Sequence, residues 1–208
     1  MKQVTIIVVC LLAFSSCGDM LKEVPKAFVS RENYYKNEAD AEGAITGAYA
    51  ILGPNYYASM DCFIMEELHN DYAEGRGSQA PVSIVDRVLD NTNIGRASNY
   101  WGQMYNSINR CNAVLGNIPN ITDINPNVQK RILAEAYFLR AFAYFNLVRF
   151  FGPVPLRLKE NTDLSELSMP REPEDKVYAQ IIEDALKAEA DLPETVVATG
   201  HASKWAAK

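Results

Sequence analysis

The most informative segment of the sequence is AEAYFLRAFAYFNLVRFFGPVPL, residues 134–156. Projected at about 100° per residue, this segment and the residues before it place their polar side chains on one narrow stripe. The stripe contains Arg131, Glu135, Asn146 and Arg149. Because the rest of the circumference is apolar, we expect a helix over residues 128–151 that neighbouring elements cover on most sides. Gly152 and the two prolines after it predict its end.

Two side chains of this helix are expected to have structural roles. Arg140 projects on the side opposite the polar stripe, where an unpaired guanidinium would be costly to bury. It must therefore meet a carboxylate or backbone carbonyls inside the protein, or extend out through the packing. Tyr144 lies in the aromatic part of the same helix and is expected to be enclosed between neighbouring helices.

Two helices are expected earlier in the chain. Asn37, followed by Asp40, is expected to cap a helix that ends before Gly53 and its following proline. A second helix is expected to resume near Asn99 and to bury one stripe of side chains at spacings of three and four. That stripe contains Trp101, Tyr105, Ile108, Asn112 and Leu115. Trp101 is therefore expected to be a structural core residue rather than a stacking platform, and so is Trp205.

The end of the sequence predicts a helix over residues 174–190 and the start of another at Ser203. The first is expected to bury a broad apolar arc made of Val177, Tyr178, Ile181, Ile182, Ala185 and Leu186. The second is too short to be stable alone, because helix nucleation is costly. We therefore expect the chain to be the N-terminal piece of a longer protein, which leaves the arc without its natural partner.

The N-terminus has the pattern of a cleaved secretion signal. Lys2 precedes an apolar run, residues 4–14, that is too short to span a bilayer. Two serines then precede Cys17, an arrangement that resembles the lipobox of bacterial lipoproteins. We expect residues 1–16 to be the signal peptide, Cys17 the acylated anchor of a tether over residues 17–35, and residues 36–208 the helical domain. The alternative is an ordinary secretory signal, with Cys17 an incidental thiol.

Composition excludes several classes of function. The 208 residues include 20 Lys and Arg against 26 Asp and Glu, and the net charge of −6 disfavours nucleic acid as a partner. Cys62 and Cys111 lack the spacing of a metal site or a disulfide framework, so we expect both to be buried hydrophobes. We expect no cofactor and no metal.

Several segments, in order along the chain, resemble the SusD/RagB family of Bacteroidota lipoproteins. The most specific is residues 134–156, which is similar to the signature helix of the family and the Gly-x-Val-Pro turn after it. The other segments are CGDML at 17–21, WGQMYNSINRCNA at 101–113, PREP at 170–173, VYAQIIED at 177–184 and ASKWAA at 202–207. Together they cover nearly the whole chain after the signal.

The resemblance implies both a fold and a function. The implied fold is all-α, with tetratricopeptide-like antiparallel helix pairs and long irregular loops, here truncated before the C-terminal part of the family fold. The implied protein is tethered by lipid to the outer membrane, faces outward, and acts as a lid over a SusC-like TonB-dependent transporter. It binds an oligosaccharide or a peptide for import and has no catalytic activity.

The ligand-binding residues are expected in the irregular segment over residues 70–97. Asp71, Tyr72 and Arg76 are the candidates, because a carboxylate and a guanidinium can bind sugar hydroxyls while a Tyr ring covers an apolar sugar face. The alternative is an ordinary solvated turn containing Gly75 and Gly77.

Two rival functions have some support in the residues. An acid-base or metal enzyme is conceivable because Glu66, Glu67, His69 and Asp71 lie close in sequence, but no HExxH or GxSxG motif and no phosphate-binding loop occurs. A tetratricopeptide-like adaptor that binds only protein partners is the second rival, because paired helices often present grooves to peptides.

Overall fold

The computed structural model describes residues 34–53, 72, 95–162 and 168–208. Contacts divide the chain into two units, with the boundary between Tyr34 and Tyr35, and the described helices belong to the second unit. Its helices are α1 (Glu38–Tyr49), α2 (Gly95–Asn117), α3 (Pro126–Phe151), α4 (Glu174–Asp191) and α5 (Lys204–Ala207), with 3₁₀ turns at Ala50–Leu52 and Ile118–Asn120. Within the described ranges, β-type backbone pairing is limited to isolated bridges at Asn37–Asp123 and Val154–Glu172. The predicted all-α fold is confirmed.

Helix α3 is the centre of the described part, and it lies against α1, α2 and α4. Its fully buried large side chains are Ile132, Glu135, Leu139, Tyr144 and Leu147. The first half of α3 packs in a cluster with Ile45 of α1 and Cys111 of α2. The second half packs in another cluster with Met104 of α2 and Val177 of α4. The expectation that this helix is covered on most sides is confirmed.

Most of the side chains in the polar stripe of α3 are buried or nearly buried and contact other parts of the protein. Glu135 has no exposed surface. Its Oε1 lies 2.9 Å from Nη1 of Arg131 and its Oε2 lies 3.2 Å from Nδ1 of His201, while Arg131 also pairs with Glu42 of α1. A buried carboxylate requires such partners, and here they join α3 to α1 and to the segment before α5. Only Arg149, at the end of the stripe, is exposed.

Helix α1 begins as predicted, whereas α2 differs from the prediction in two ways. The side chain of Asn37 accepts a hydrogen bond from the Asp40 amide and caps α1. Helix α2 begins at Gly95, four residues before the predicted start. Its buried face is also rotated, because its largest fully buried side chains are Tyr100, Met104, Ile108 and Val114. Trp101 is half-buried at the edge of this face.

The apolar arc of α4 is only partly buried, so the prediction is half wrong. Val177, Asp184 and Ala188 face the core, where α4 packs on α3. Tyr178, Ile182 and Leu186, one turn apart on another side of the helix, are 37%, 58% and 60% exposed. The hydrophobic pattern shows how many apolar side chains form the arc, but it does not show which of them a neighbour covers. Helix α3 covers only one edge of the arc. Trp205 is exposed as well, which corrects its assignment to the core.

None of the helices in the described ranges is long and apolar enough to cross a lipid bilayer.

Candidate functional site

An irregular segment after α3, residues 153–162, packs against the side chains of α2 and α3 and is called the strap here. It begins after Gly152, whose φ of 64° allows the sharp change of direction at the end of α3. Val154 is fully buried, and its carbonyl accepts a hydrogen bond from the Glu172 amide at 2.9 Å. The strap is therefore fixed at its start to the residues that precede α4.

Buried side chains of α2 and α3 fix the middle of the strap through its backbone. Asn112 donates from Nδ2 to the carbonyls of Arg157 and Lys159, at 3.1 and 3.0 Å. The Tyr144 hydroxyl donates to the Arg157 carbonyl at 2.8 Å and accepts from the Arg157 amide at 2.6 Å. Burial raises the pKa of Tyr144 well above its ordinary value, so the phenol stays protonated and can donate.

Two more side chains of α2 hold the ends of the strap. The Tyr105 hydroxyl donates to the Pro155 carbonyl at 2.7 Å. Oδ1 of Asn109 accepts from the Asn161 amide, also at 2.7 Å. The strap thus has no regular secondary structure and is nevertheless held in one shape along most of its length.

Arg140 lies beneath the strap in a buried polar network. Its Nε and Nη2 bind Oδ2 and Oδ1 of Asp184 at 2.7 and 2.8 Å, a bidentate pair between α3 and α4. Its Nη1 donates to Oδ1 of Asn112 at 2.8 Å and to the Leu158 carbonyl at 3.4 Å. Burial by itself lowers the pKa of Arg140, but the hydrogen bonds and charge of Asp184 outweigh it and leave that pKa raised.

A cavity of about 540 Å³ opens over the outer side of the strap. Among the described residues, its lining consists of Leu156, Arg157, Leu158, Lys159, Glu160, Asn161, Ser168 and Met169. The wall therefore combines hydrogen-bonding groups of both polarities with aliphatic side chains. The described part of the wall includes the Glu160 carboxylate, which accepts a hydrogen bond from Nδ2 of Asn117 at 3.2 Å.

An aromatic cluster lies at the start of the strap. The Trp101 ring is 4.9 Å from the ring of Tyr105 and 5.0 Å from that of Phe151, between centroids. The guanidinium of Arg171 lies 5.8 Å from the centroid of the Trp101 ring, at the distance of a cation–π contact. Trp101 thus combines a packing role with a partly exposed position beside the strap.

Most of the ligand-binding candidates from the sequence lie outside the described residues. This applies to Asp71, to Arg76 and to the anchor candidate Cys17. Tyr72 is described and is 79% exposed. The acidic group proposed for an enzyme site, Glu66, Glu67, His69 and Asp71, also falls outside the described ranges. Among the residues that the structure does describe, no group of His, Cys, Asp and Glu is arranged to hold a metal ion.

The sequence predicts an extended segment after Gly152, but sequence reasoning missed both the contacts that hold this strap and the partner of Arg140. Asp184 was a detectable signal, because it is an acidic residue on the same face of α4 as Val177 and Ala188. A carboxylate buried in an apolar stripe requires a cation as its partner. Arg140 places a guanidinium in the apolar stripe of α3, so the two residues could have been paired from the sequence. The strap gave no such signal, since its contacts are made by backbone carbonyls and amides.

Comparison with known proteins assigns the family. A family model described as SusD-like, starch-binding and associating with the outer membrane, matches residues 27–208. The chain belongs to the SusD-like family. SusD-like protein P2 of Formosa agariphila is 32% identical over 95% of this chain and 39% of its own length, and SusD-like protein P25 of the same organism is 30% identical over 100% and 42%. The chain spans about two fifths of the length of these curated relatives.

Solved structures of SusD-like proteins have the same fold. A laminarin-binding SusD-like protein superposes with a TM-score of 0.70 and 26% identity, over 83% of this chain and 38% of its own. A SusD-like carbohydrate-binding protein from Bacteroides fragilis gives a TM-score of 0.69 and 27% identity, over 84% and 36%. A SusD superfamily protein from Bacteroides vulgatus, at 23% identity and a TM-score of 0.72 over 84% and 38%, shares the fold.

Proposed function

We propose that this chain is part of a surface lipoprotein that binds a glycan and passes it to a SusC-like TonB-dependent outer-membrane transporter. The observation that carries the proposal is the likeness to the laminarin-binding SusD-like protein, which extends over 83% of this chain. The description of the matching family as starch-binding and associated with the outer membrane supports both the ligand class and the location. In this proposal the protein recognises its ligand and does not transform it.

The proposed organisation follows from the N-terminal sequence. Residues 1–16 direct export, Cys17 carries the lipid, residues 17–35 form the tether, and residues 36–208 form the helical SusD-like domain. A tether of this length allows the domain to sit at the outer surface beside a membrane-embedded partner. The proposed orientation is towards the extracellular side.

Asp71, Tyr72 and Arg76 remain our proposed ligand-binding residues. The exposed ring of Tyr72 supports this proposal, because a sugar face can stack only on an aromatic ring that it can reach. The neighbouring carboxylate and guanidinium supply complementary hydrogen-bonding groups for hydroxyls.

Binding and co-purification test the proposal. The purified protein is titrated with laminarin, starch and other oligosaccharides by isothermal calorimetry, and we expect saturable binding of one class without release of reducing ends. Tyr72→Ala is expected to weaken that binding at least tenfold. The control is Tyr178→Ala, which removes an exposed tyrosine of α4 and is expected to leave the binding unchanged.

The partner is identified from native outer membranes by pulling down a tagged copy of the protein. Recovery of a TonB-dependent barrel supports the importer. Recovery of a soluble peptide partner together with no saccharide binding supports the adaptor instead, and saccharide cleavage that disappears in Glu67→Gln supports the enzyme.

A further inference from the structure

We propose that His201 and Glu135 form a pH-sensitive latch, which holds residues 193–208 on α3 when the imidazole is protonated and loosens them when it is neutral. Residues 193–208 include α5 and are called the tail here. The latch lies apart in sequence from the proposed glycan-binding residues, and the inference does not depend on glycan binding.

The contact at the centre of the latch joins an imidazole to a completely buried carboxylate. Nδ1 of His201 lies 3.3 and 3.2 Å from Oε1 and Oε2 of Glu135. The Glu135 side chain has no exposed surface, whereas that of His201 is 20% exposed. Protons from the solvent can therefore reach the imidazole, while water screens the carboxylate opposite it only weakly.

The other charges around Glu135 do not balance it fully. Arg131 binds Glu135, but the same guanidinium also binds Glu42 of α1. Among the described residues, these two carboxylates therefore share one guanidinium, and a protonated His201 supplies a second cation. Because a buried carboxylate is costly without a full set of partners, a protonated imidazole stabilises this group more than a neutral one.

Tyr49 of α1 is a further titratable neighbour of His201. The centroids of the two rings lie 4.6 Å apart, and the Tyr49 hydroxyl accepts a hydrogen bond from the Ala202 amide at 2.9 Å. Burial is the main cause that raises the pKa of Tyr49 well above its ordinary value, so its phenol stays neutral when histidine changes charge. The bond from Ala202 to Tyr49 therefore reports on the latch without titrating itself.

Few apolar contacts hold the tail. Helix α5 has four residues and no buried side chain, and its Trp205 is 59% exposed. Ala202 is the one buried residue of the tail, and it packs in a small cluster with Ala134 of α3 and Ala188 of α4. We therefore expect a change in the ionic contact at His201 to alter how firmly the whole tail is held.

The direction of the pH effect follows from these charges. Protonation of His201 adds an attraction to Glu135, and loss of the proton removes it. The latch is therefore strongest in mild acid and weakens as the pH rises through the range of about 5–8 in which histidine changes charge. The stability that the latch contributes is lost in the same direction.

Hydrogen exchange followed by NMR on the whole chain tests the latch. The amides of Ala202 and Lys204 donate to the Tyr49 hydroxyl and the Pro193 carbonyl, so both report on the tail. Their protection factors, which correct for the intrinsic pH dependence of exchange, are expected to fall about tenfold between about pH 5.5 and 8.5. The amide of Leu139, in the middle of α3, is expected to keep its protection.

Variants at His201 separate charge from shape. His201→Arg places a permanent cation beside Glu135 and is expected to keep the tail protected at every pH. His201→Gln keeps a hydrogen-bond donor without a charge and is expected to give low protection at every pH. The matched control is His69→Gln, which removes the other histidine of the chain and is expected to leave the pH dependence unchanged.

The fold of each variant is verified by the protection of the Leu139 amide. Constant protection of Ala202 and Lys204 across the pH range in the unmodified protein overturns the inference. A pH dependence that persists in His201→Gln, or one that disappears in His69→Gln, overturns it as well. None of these measurements involves a saccharide, so each of these results leaves the proposed glycan binding intact.

Discussion

Arg140 joins three parts of the protein that are far apart in sequence: α4 through Asp184, α2 through Asn112 and the strap through the Leu158 carbonyl. Replacing it by alanine leaves the Asp184 carboxylate, which has no exposed surface, without its counter-charge. We therefore expect Arg140→Ala to lower the free energy of unfolding by about 3–5 kcal/mol, measured by denaturant titration.

Two further variants separate a buried pair from ion pairing in general. Lys176→Ala breaks the exposed pair with Glu172 and is expected to leave the unfolding curve unchanged. Arg140→Met combined with Asp184→Leu removes both charges and is expected to recover most of the lost stability. A loss for Arg140→Ala as small as that for Lys176→Ala would contradict the account of the network.

Cys111 shows how burial controls reactivity. Its side chain is fully buried between α1, α2 and α3, and burial raises the pKa of the thiol to about 12. The reactive thiolate is therefore almost absent near pH 8. We expect iodoacetamide at pH 8 to leave Cys111 unmodified in the native protein and to modify it fully in urea, as read by peptide mass spectrometry. Modification of the native protein at the rate seen in urea would refute this placement.

The sequence predicted that a buried Arg140 needs a carboxylate or backbone carbonyls as partners. It did not predict which residue supplies them. The helical projection of α3 shows a guanidinium in an apolar environment, and this is local information. Asp184 is 44 residues away, and its contact depends on how α4 is rotated against α3. Trp101 packs against the core at its edge for a related reason: Tyr100 and Trp101 are adjacent aromatics, and the packing of α2, not the sequence pattern, buries Tyr100 fully.

The end of α3 depends on one backbone conformation. Gly152 has φ 64° and ψ −130°, which residues with a Cβ rarely adopt, and a Cβ there would lie 3.1 Å from Oε1 of Glu174. We expect Gly152→Ala to cost about 1–3 kcal/mol of unfolding free energy because the turn into the strap becomes strained. Thermal and denaturant unfolding measure the change.

Gly102→Ala is the matched control, because Gly102 lies within α2 and, beyond its chain neighbours and the backbone of its own helix, no described atom lies within 4 Å of the Cβ it would gain. That substitution is expected to stabilise the protein by about 0.5–1 kcal/mol through helix propensity. Equal effects of the two substitutions would show that the conformation of Gly152 is not the cause.

Helix α4 shows what a hydrophobic pattern can and cannot establish. The sequence identified the helix to within one residue at its end, because the pattern and the proline before it are local signals. It could not show that Val177 would face α3 while Ile182 would remain mostly exposed. Coverage of an apolar arc is a property of neighbouring elements, so it follows from the tertiary structure and not from periodicity.

The family and fold of the molecule were predictable from the sequence because the signature segment at residues 134–156 becomes the central helix and the turn after it. The site was less predictable. The candidates at Asp71 and Arg76 rest on residue type alone, and the cavity depends on backbone contacts of the strap that side-chain patterns do not encode.

The proposed membrane attachment through Cys17 concerns the whole protein and can be tested on it. Acyl chains on Cys17 would hold it on the membrane without any spanning helix, since two or more chains give stable anchoring. We expect Cys17→Ala to move the protein from the membrane fraction to the soluble fraction in a host without the partner transporter. Cys10→Ala, a matched change inside the apolar run that leaves Cys17 in place, is expected to keep the protein on the membrane. Retention of Cys17→Ala on carbonate-washed membranes would show that the anchor lies elsewhere.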